Sequence, residues 1–158
     1  MMHRKTEIAV PYTARQMFDL VSDVERYPAF LPWCSALRIV KRTGDEDHGE
    51  IIADMVVAYK VFREKFRSRV ILDRAAGTVC VDRMDGPFRT LRTDWRFADS
   101  TGVDTNADSG SVVYFEITFE LKNLLFQRAA QLFFERKFLQ MSEAFIDRAH
   151  DVYGAVRA

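Results

Sequence analysis

Apolar and polar residues alternate with a period of two along much of the chain, which predicts β-strands with one buried face. In the clearest strand, from Val113 to Leu121, every odd-numbered residue is apolar, and the residues between them are Tyr, Glu, Thr and Glu. The same alternation, bounded by turn residues, predicts six further strands. These strands lie at 3–10, from 36 to a polar turn at 43–49, twice within 50–72, at 78–84 and at 88–97.

The run from Glu50 to Leu72 is too long for one strand, and a change of phase shows where it divides. Its apolar residues are odd-numbered as far as Tyr59 and even-numbered from Phe62 onward. Successive side chains of a strand point to opposite faces, so a buried face cannot change parity without an inserted turn or bulge. We therefore predict a hairpin or bulge near 58–61.

Two short helices are predicted between the first and second strands. Thr13 and Gln16 have the spacing of a capping box, which begins a helix over 14–22. Asp23 can cap a second short turn, which Pro28 limits. The prolines at 28 and 32 then enclose a compact apolar segment.

The last helix is predicted to span 124–153, with Gly154 as its C′ residue. At 1.5 Å per residue it is roughly 45 Å long, enough to cross a small domain. A sheet with one apolar face needs a cover, and this helix is the element long enough to supply it. The sequence thus predicts one α+β domain over 1–158: a helix-grip fold, in which a curved, antiparallel, seven-stranded sheet wraps around the C-terminal helix.

Charge and cysteine content exclude several classes of protein. The 158 residues carry 23 basic and 23 acidic side chains, so no overall charge attracts nucleic acid, and we expect no DNA partner. Cys34 and Cys80 are too few for a disulfide framework, and each is expected to be a small buried residue in a reducing compartment. The chain has neither a secretory signal nor a membrane span, which favours the cytoplasm.

Phenylalanine accounts for 13 of the 20 aromatic residues, which indicates a large apolar interior. Such rings either fill a core or line a cavity for an apolar ligand, and the pattern alone leaves both interpretations open. We predict that the lining includes residues on the strands, on the last helix and in the Pro-enclosed segment. The candidates are Phe30, Leu31, Trp33, Tyr59, Phe62, Glu64, Phe66, Trp95, Phe97, Phe115, Phe119, Phe134, Phe138, Met141 and Phe145.

The sequence predicts no catalytic residues, no metal site and no cofactor. His3, His48 and His150 fall at positions typical of solvated side chains, and no phosphate loop, nucleophile elbow or zinc signature is present. Glu64 is the one acid that shares the inward parity of Phe62 and Phe66. It is either a polar anchor for a ligand head group, or a residue that lies at the sheet rim or pairs with an arginine.

Basic residues are concentrated on the predicted outer face of the sheet. They either bind an anionic surface, such as phospholipid or ribosomal RNA, or form ion pairs with Asp82, Glu116 and Glu120 on neighbouring strands. The basic residues are Arg63, Lys65, Arg67, Arg69, Arg92 and Arg96.

Two motifs resemble the coenzyme Q-binding protein family of the START-like superfamily, which is grouped with polyketide cyclase/dehydrase domains and includes the bacterial ribosome association toxin. One is the segment 17–34, which ends in Tyr27-Pro28-Ala29-Phe30-Leu31-Pro32-Trp33-Cys34. The other is the last helix, through Phe133-Phe134, Met141, Ala144-Phe145, Arg148-Ala149 and Val152-Tyr153-Gly154. The resemblance covers essentially the whole chain.

The resemblance implies a helix-grip fold with a cavity that binds ubiquinone and supports respiratory electron transport without catalysis. The ring of a quinone needs only one or two hydrogen-bond donors or other polar neighbours, for which Trp33, Tyr59, Glu64 and Trp95 are candidates. Entry from a bilayer, at the inner membrane, needs an opening, and we expect Phe30–Trp33 and the start of the last helix at 124–126 to form a gate there. A ribosome-associated module that blocks subunit joining and a polyketide cyclase/aromatase remain alternatives.

Overall fold

Seven antiparallel strands form one sheet in the order β1-β7-β6-β5-β4-β3-β2. The computed structural model describes residues 2–31, 33–45, 47–59, 62–99 and 110–154, apart from the side chains at 59, 62, 130, 133–139, 141 and 142. The strands are β1 (Met2–Val10), β2 (Cys34–Gly44), β3 (His48–Tyr59), β4 (Phe62–Asp73), β5 (Thr78–Asp85), β6 (Phe88–Asp99) and β7 (Ser111–Leu121). The helices are α1 (Ala14–Ser22), α2 (Tyr27–Phe30) and α3 (Leu124–Tyr153). This α+β helix-grip architecture is the one predicted.

The change of parity between β3 and β4 is a hairpin, as predicted. Tyr59 pairs with Phe62 across it, and the pairing continues in register to His48 and Asp73. Ile51 and Ala53 on one strand and Phe66 and Val70 on the other are consequently buried on the same face. The hairpin keeps the apolar side chains of both strands on the inner face of the sheet.

The first short helix begins as its capping box predicts. The Thr13 hydroxyl accepts from the Gln16 amide at 3.0 Å, and Gln16 Oε1 accepts from the Thr13 amide at 2.9 Å. The prediction for the second short helix was wrong in one respect, because Asp23 makes no side-chain cap and a 3₁₀ turn at Val24–Arg26 follows it. Pro28 lies in the first turn of α2. Backbone amides there have no hydrogen-bond acceptor within the helix, so the missing amide proton of proline costs no hydrogen bond.

The C-terminal end of α3 is held against α1 by two tyrosine hydroxyls. Tyr153 donates to the Gln16 carbonyl at 2.8 Å, and Tyr12 donates to the Gly154 carbonyl at 3.1 Å. Gly154 ends the helix with φ 84°, a conformation that favours glycine. The prediction of this helix and its terminal glycine was correct, and no helix within the described residues is apolar and long enough to cross a bilayer.

Candidate functional site

A tight group of aromatic rings lies between the sheet and the second half of α3. The Trp95 ring is 4.3 Å from Phe115 and 4.9 Å from Phe145 between centroids. Phe145 also meets Tyr27 at 5.4 Å and Phe30 at 5.2 Å, both edge to face. These are the distances at which aromatic pairs attract one another, so Phe145 is the central contact between α3 and the rest of the fold.

Little space remains beside this group of rings. A pocket lined by Trp95, Phe115 and Phe145 measures about 10 Å³, roughly the size needed for a single water. The described side chains around Phe145 are therefore packed like an ordinary core.

A second group of rings lies near the opposite end of the sheet. Phe88 packs edge to face against Phe66 at 5.2 Å and against Phe119 at 6.2 Å. Gly86 turns the chain beside them with φ 135°, and a Cβ atom on it would lie 2.5 Å from the Cβ of Phe66. The turn between β5 and β6 can therefore approach Phe66 only because residue 86 is glycine.

The inward position of Phe88 was not predicted, because it depends on a bulge. Leu91, Trp95 and Phe97 are odd-numbered inward residues, which places Phe88 on the outer parity. The pairing of β6 with β7 shifts register between Phe88 and Thr90, and the shift turns Phe88 inward. The Gly86-Pro87 turn immediately before it was the available signal, because bulges are frequent at strand ends beside turns.

Gln127 places an amide in the same interior. Its side chain is 8% exposed, and its Oε1 accepts from the Leu121 backbone amide at 2.6 Å. Among the described residues its Nε2 has no hydrogen-bond partner, although the atom is buried. The residue lies seven positions before Phe134 on the apolar stripe of the last helix, so a polar residue at that spacing was the signal that the sequence offered.

Arg83 adds a cation to the inner face of the sheet. It lies on the face of β5 that carries the fully buried Val79, and it pairs in register with the buried Ser68 of β4. Its side chain is half-buried, and no described residue forms a hydrogen bond with its Nε. The Thr93 hydroxyl on neighbouring β6 is also buried, with no partner in the described part of the chain. Because unpaired buried polar atoms are costly, these atoms indicate a site that a polar ligand group can complete.

The other predicted site residues differ in their burial. Leu31 and Phe97 are buried, whereas Trp33 and Glu64 are half-buried. Glu64 has no ion-pair or hydrogen-bond partner among the described residues, so the arginine pairing considered for it is absent there. The side chains of Tyr59, Phe62, Phe134, Phe138 and Met141 lie outside those that the structure describes.

The basic outer face is built around one buried carboxylate, Asp54. Arg67 donates to both its oxygens, from Nε at 2.8 Å and from a terminal nitrogen at 3.1 Å. Lys65 and Arg38 each lie 3.7 Å away. The hydrogen bonds and charge of Arg67 hold the pKa of the Asp54 carboxyl below its usual value, against the effect of burial.

The predicted partners of the basic residues were therefore largely wrong. Arg69 pairs with Glu50 at 2.9 Å, because β4 lies beside β3. Glu116, on the distant β7, accepts from His3 at 2.6 Å instead. The prediction was correct for Arg92, which lies 3.6 Å from Asp82.

We expect Asp54→Ala to lower the free energy of unfolding by about 1.5–3 kcal/mol at pH 7, the usual contribution of charge-assisted hydrogen bonds. The folded-state pKa of Asp54 is lowered, so its contribution is complete above the unfolded pKa and is lost as the pH falls through the folded value. The difference in the free energy of unfolding between wild type and Asp54→Ala should hence become smaller below about pH 4. Urea unfolding at several pH values measures it.

Glu50→Ala is the matched control. Its ion pair with Arg69 is exposed on both sides, so we expect a loss below about 1 kcal/mol. If both variants lost the same amount of unfolding free energy, the central role of Asp54 would be contradicted.

Cys80 is not the buried small residue that was predicted. It is half-buried on the outer face, where its thiol donates to Asp94 at 3.0 Å. Burial and the Asp94 carboxylate raise the pKa of this thiol to about 11, and burial alone raises that of Cys34 to about 11. Both thiols are therefore protonated at neutral pH.

The described residues contain no cluster of three or more His, Cys, Asp or Glu side chains that can hold a metal ion. They do form an open cleft of about 290 Å³ where the pairing of β4 and β5 shifts register. The cleft is lined by Asp54, Lys65, Phe66, Arg67, Asp85 and Gly86. Its charges are of both signs and compensate one another.

Comparison with known proteins gives the family. The family described as polyketide cyclase / dehydrase and lipid transport matches residues 10–146. The chain belongs to this family. Among its relatives, the ribosome association toxin RatA of Rickettsia prowazekii is 32% identical over 146 residues, which is 90% of this chain and 92% of the toxin. The mitochondrial coenzyme Q-binding protein COQ10 homolog B of Xenopus laevis is 30% identical over 90% of this chain and 56% of its own length.

Solved structures agree with that family assignment. An 18 kDa protein of Caulobacter crescentus is 31% identical, with a TM-score of 0.76 over 98% of this chain and all of its own. A START superfamily protein of Mycobacterium smegmatis has a TM-score of 0.75 at 15% identity, covering 95% of this chain and 98% of its own. The START-like resemblance drawn from the sequence is thus confirmed for family and fold.

Proposed function

We propose that the protein binds a polyprenyl quinone of the ubiquinone class between the sheet and α3. It acts as a carrier or chaperone that supports respiratory electron transport, without catalysing a reaction. The observation that carries the proposal is the buried Nε2 of Gln127, which has no hydrogen-bond partner among the described residues. The coenzyme Q-binding relative supports the choice of ligand.

The two parts of a quinone match the two kinds of surface in this interior. An isoprenoid tail gains about 25 cal/mol for each Å² of apolar area removed from water, and this requires no polar contact. Phe66, Phe88 and Phe119 supply such a surface at one end. The ring carries carbonyl oxygens, which accept hydrogen bonds from buried donors.

We assign the ring end of the ligand to Gln127 and Arg83. Gln127 Nε2 and Arg83 Nε are donors that lack partners, whereas the predicted candidate Trp95 packs among the rings around Phe145. Glu64 cannot donate to a carbonyl when it is ionised. Carbonyl oxygens of a ligand would complete the hydrogen bonding of these donors.

Native mass spectrometry of the protein purified from a quinone-producing host tests this proposal. We expect a co-purifying quinone, or binding of a quinone added in detergent. Absence of both would overturn the proposal. A host strain unable to make the quinone ring is the control, because protein purified from it should carry no such ligand.

The named relatives support a second candidate function, association with ribosomes. The RatA relative aligns over nearly its full length, and the row Arg63, Lys65, Arg67 and Arg69 lies along the outer face of β4. Binding through phosphate contacts would be strongest at low salt. Sedimentation with separated ribosomal subunits tests it: a protein that remains in the supernatant at low salt would exclude this candidate.

A further inference from the structure

The first turns of α3 carry apolar side chains in solvent. Leu125 is 87% exposed and Leu132 is 53% exposed. With the exposed Ala129 between them, they have the i, i+4, i+7 spacing of one helix face. Leu124 and Phe126 are exposed beside this face. Monomeric soluble proteins rarely expose contiguous apolar surface without a use for it.

Among the described side chains of α3, the exposed apolar residues are concentrated at the start of the helix. Among the described residues from 140 onward, the exposed positions include Gln140, Glu143, Asp147 and Asp151, and Val152 is the one exposed large apolar residue. A helix that exposed apolar residues without a local reason would show them along its whole length. The apolar face is therefore a local feature of one end of the fold.

Exposed cations border the apolar face. Lys122 lies two residues before the start of α3, Arg128 lies within α3, and Arg89 is the second residue of β6. The Lys122 amide donates to the Pro87 carbonyl at 2.8 Å, which brings the β5–β6 turn against the start of the helix. Two acids also lie nearby: the charge of Asp85 interacts with that of Arg67, and Glu120 is half-buried.

We propose that the apolar face of Leu125, Ala129 and Leu132, together with Leu124 and Phe126 beside it, docks on an anionic phospholipid bilayer. Apolar side chains bordered by Lys and Arg match the two layers of such a surface, since the former enter the acyl boundary and the latter meet the phosphates. The proposal does not depend on which ligand the interior holds. It places the buried Gln127, in the same helical turns, next to the membrane.

Vesicle flotation with the full chain tests the docking. We expect binding to phosphatidylcholine vesicles that contain about 30 mol% phosphatidylglycerol, and at least about tenfold weaker binding without the anionic lipid. Leu125→Glu should reduce binding to the anionic vesicles by about tenfold or more, because it removes an inserted side chain and adds a like charge. Leu125 is too exposed for this change to prevent folding.

Val152→Glu is the matched control, since Val152 lies 49% exposed at the other end of the same helix. Unchanged binding in this variant and reduced binding in Leu125→Glu would support the docking face. Equal effects of the two variants, or no flotation of wild type, would overturn it. A Leu125-dependent dimer in analytical ultracentrifugation, with no flotation, would assign the face to a second copy of the chain instead. Because these vesicles contain no quinone, the result is independent of the quinone proposal.

Discussion

Phe145→Ala is expected to lower the free energy of unfolding by about 3–5 kcal/mol, as for large aromatic residues in filled cores. Phe145 contacts rings from the sheet and from α2, and only about 10 Å³ of space adjoins it. The neighbouring rings are stiff and cannot move into the volume that is lost. Chemical denaturation measures the effect, and Val152→Ala on the exposed side of the helix should change stability by no more than about 0.5 kcal/mol.

Phe66→Ala provides a comparison at the other end of the interior. Phe66 borders the open cleft of about 290 Å³, so water can enter the space that the ring leaves and the cost should be smaller. The same change should weaken quinone binding. A loss as large as that of Phe145→Ala, with unchanged binding, would show that this end is also filled core.

Arg83→Met is expected to stabilise the ligand-free protein by about 1 kcal/mol while weakening quinone binding about tenfold. The variant removes a buried Nε that has no partner, and burying an unpaired polar atom is unfavourable. The same change removes a donor for a quinone carbonyl, and the loss of one such hydrogen bond weakens affinity about tenfold. Unfolding and quinone titration of the same samples measure both quantities.

The ring and tail contributions can be separated with squalene, an isoprenoid hydrocarbon without a polar ring. Arg83→Met and Gln127→Met should both weaken quinone binding and leave squalene binding within about threefold, because squalene accepts no hydrogen bond. Arg69→Met on the outer face is the matched control, and it should change neither affinity. Equal losses for quinone and squalene would mean that the two residues only shape the interior.

Helix ends and strand phase were predictable because short-range chemistry determines them. The capping box at Thr13 and the glycine at 154 place the ends of α1 and α3. The parity change between Tyr59 and Phe62 places the β3–β4 hairpin. Each signal involves residues that are neighbours in the sequence.

The features that the sequence left unpredicted depend on contacts between distant residues. Phe88 faces inward because β6 shifts register against β7. Lys65 and Arg67 pair with Asp54, and Arg69 pairs with Glu50, because β3 lies beside β4 in the sheet. Arg83 and Gln127 are significant because their polar atoms lack partners, a property that exists only once the chain has folded.

The tyrosine contacts that hold Gly154 and α1 together have a mechanical consequence. They fix α3 at its C-terminal end. The short link from β7 and the hydrogen bond between the Leu121 amide and Gln127 Oε1 fix its start. Because both ends of the helix are tied to the fold, a rigid tilt about either end would break hydrogen bonds at the other.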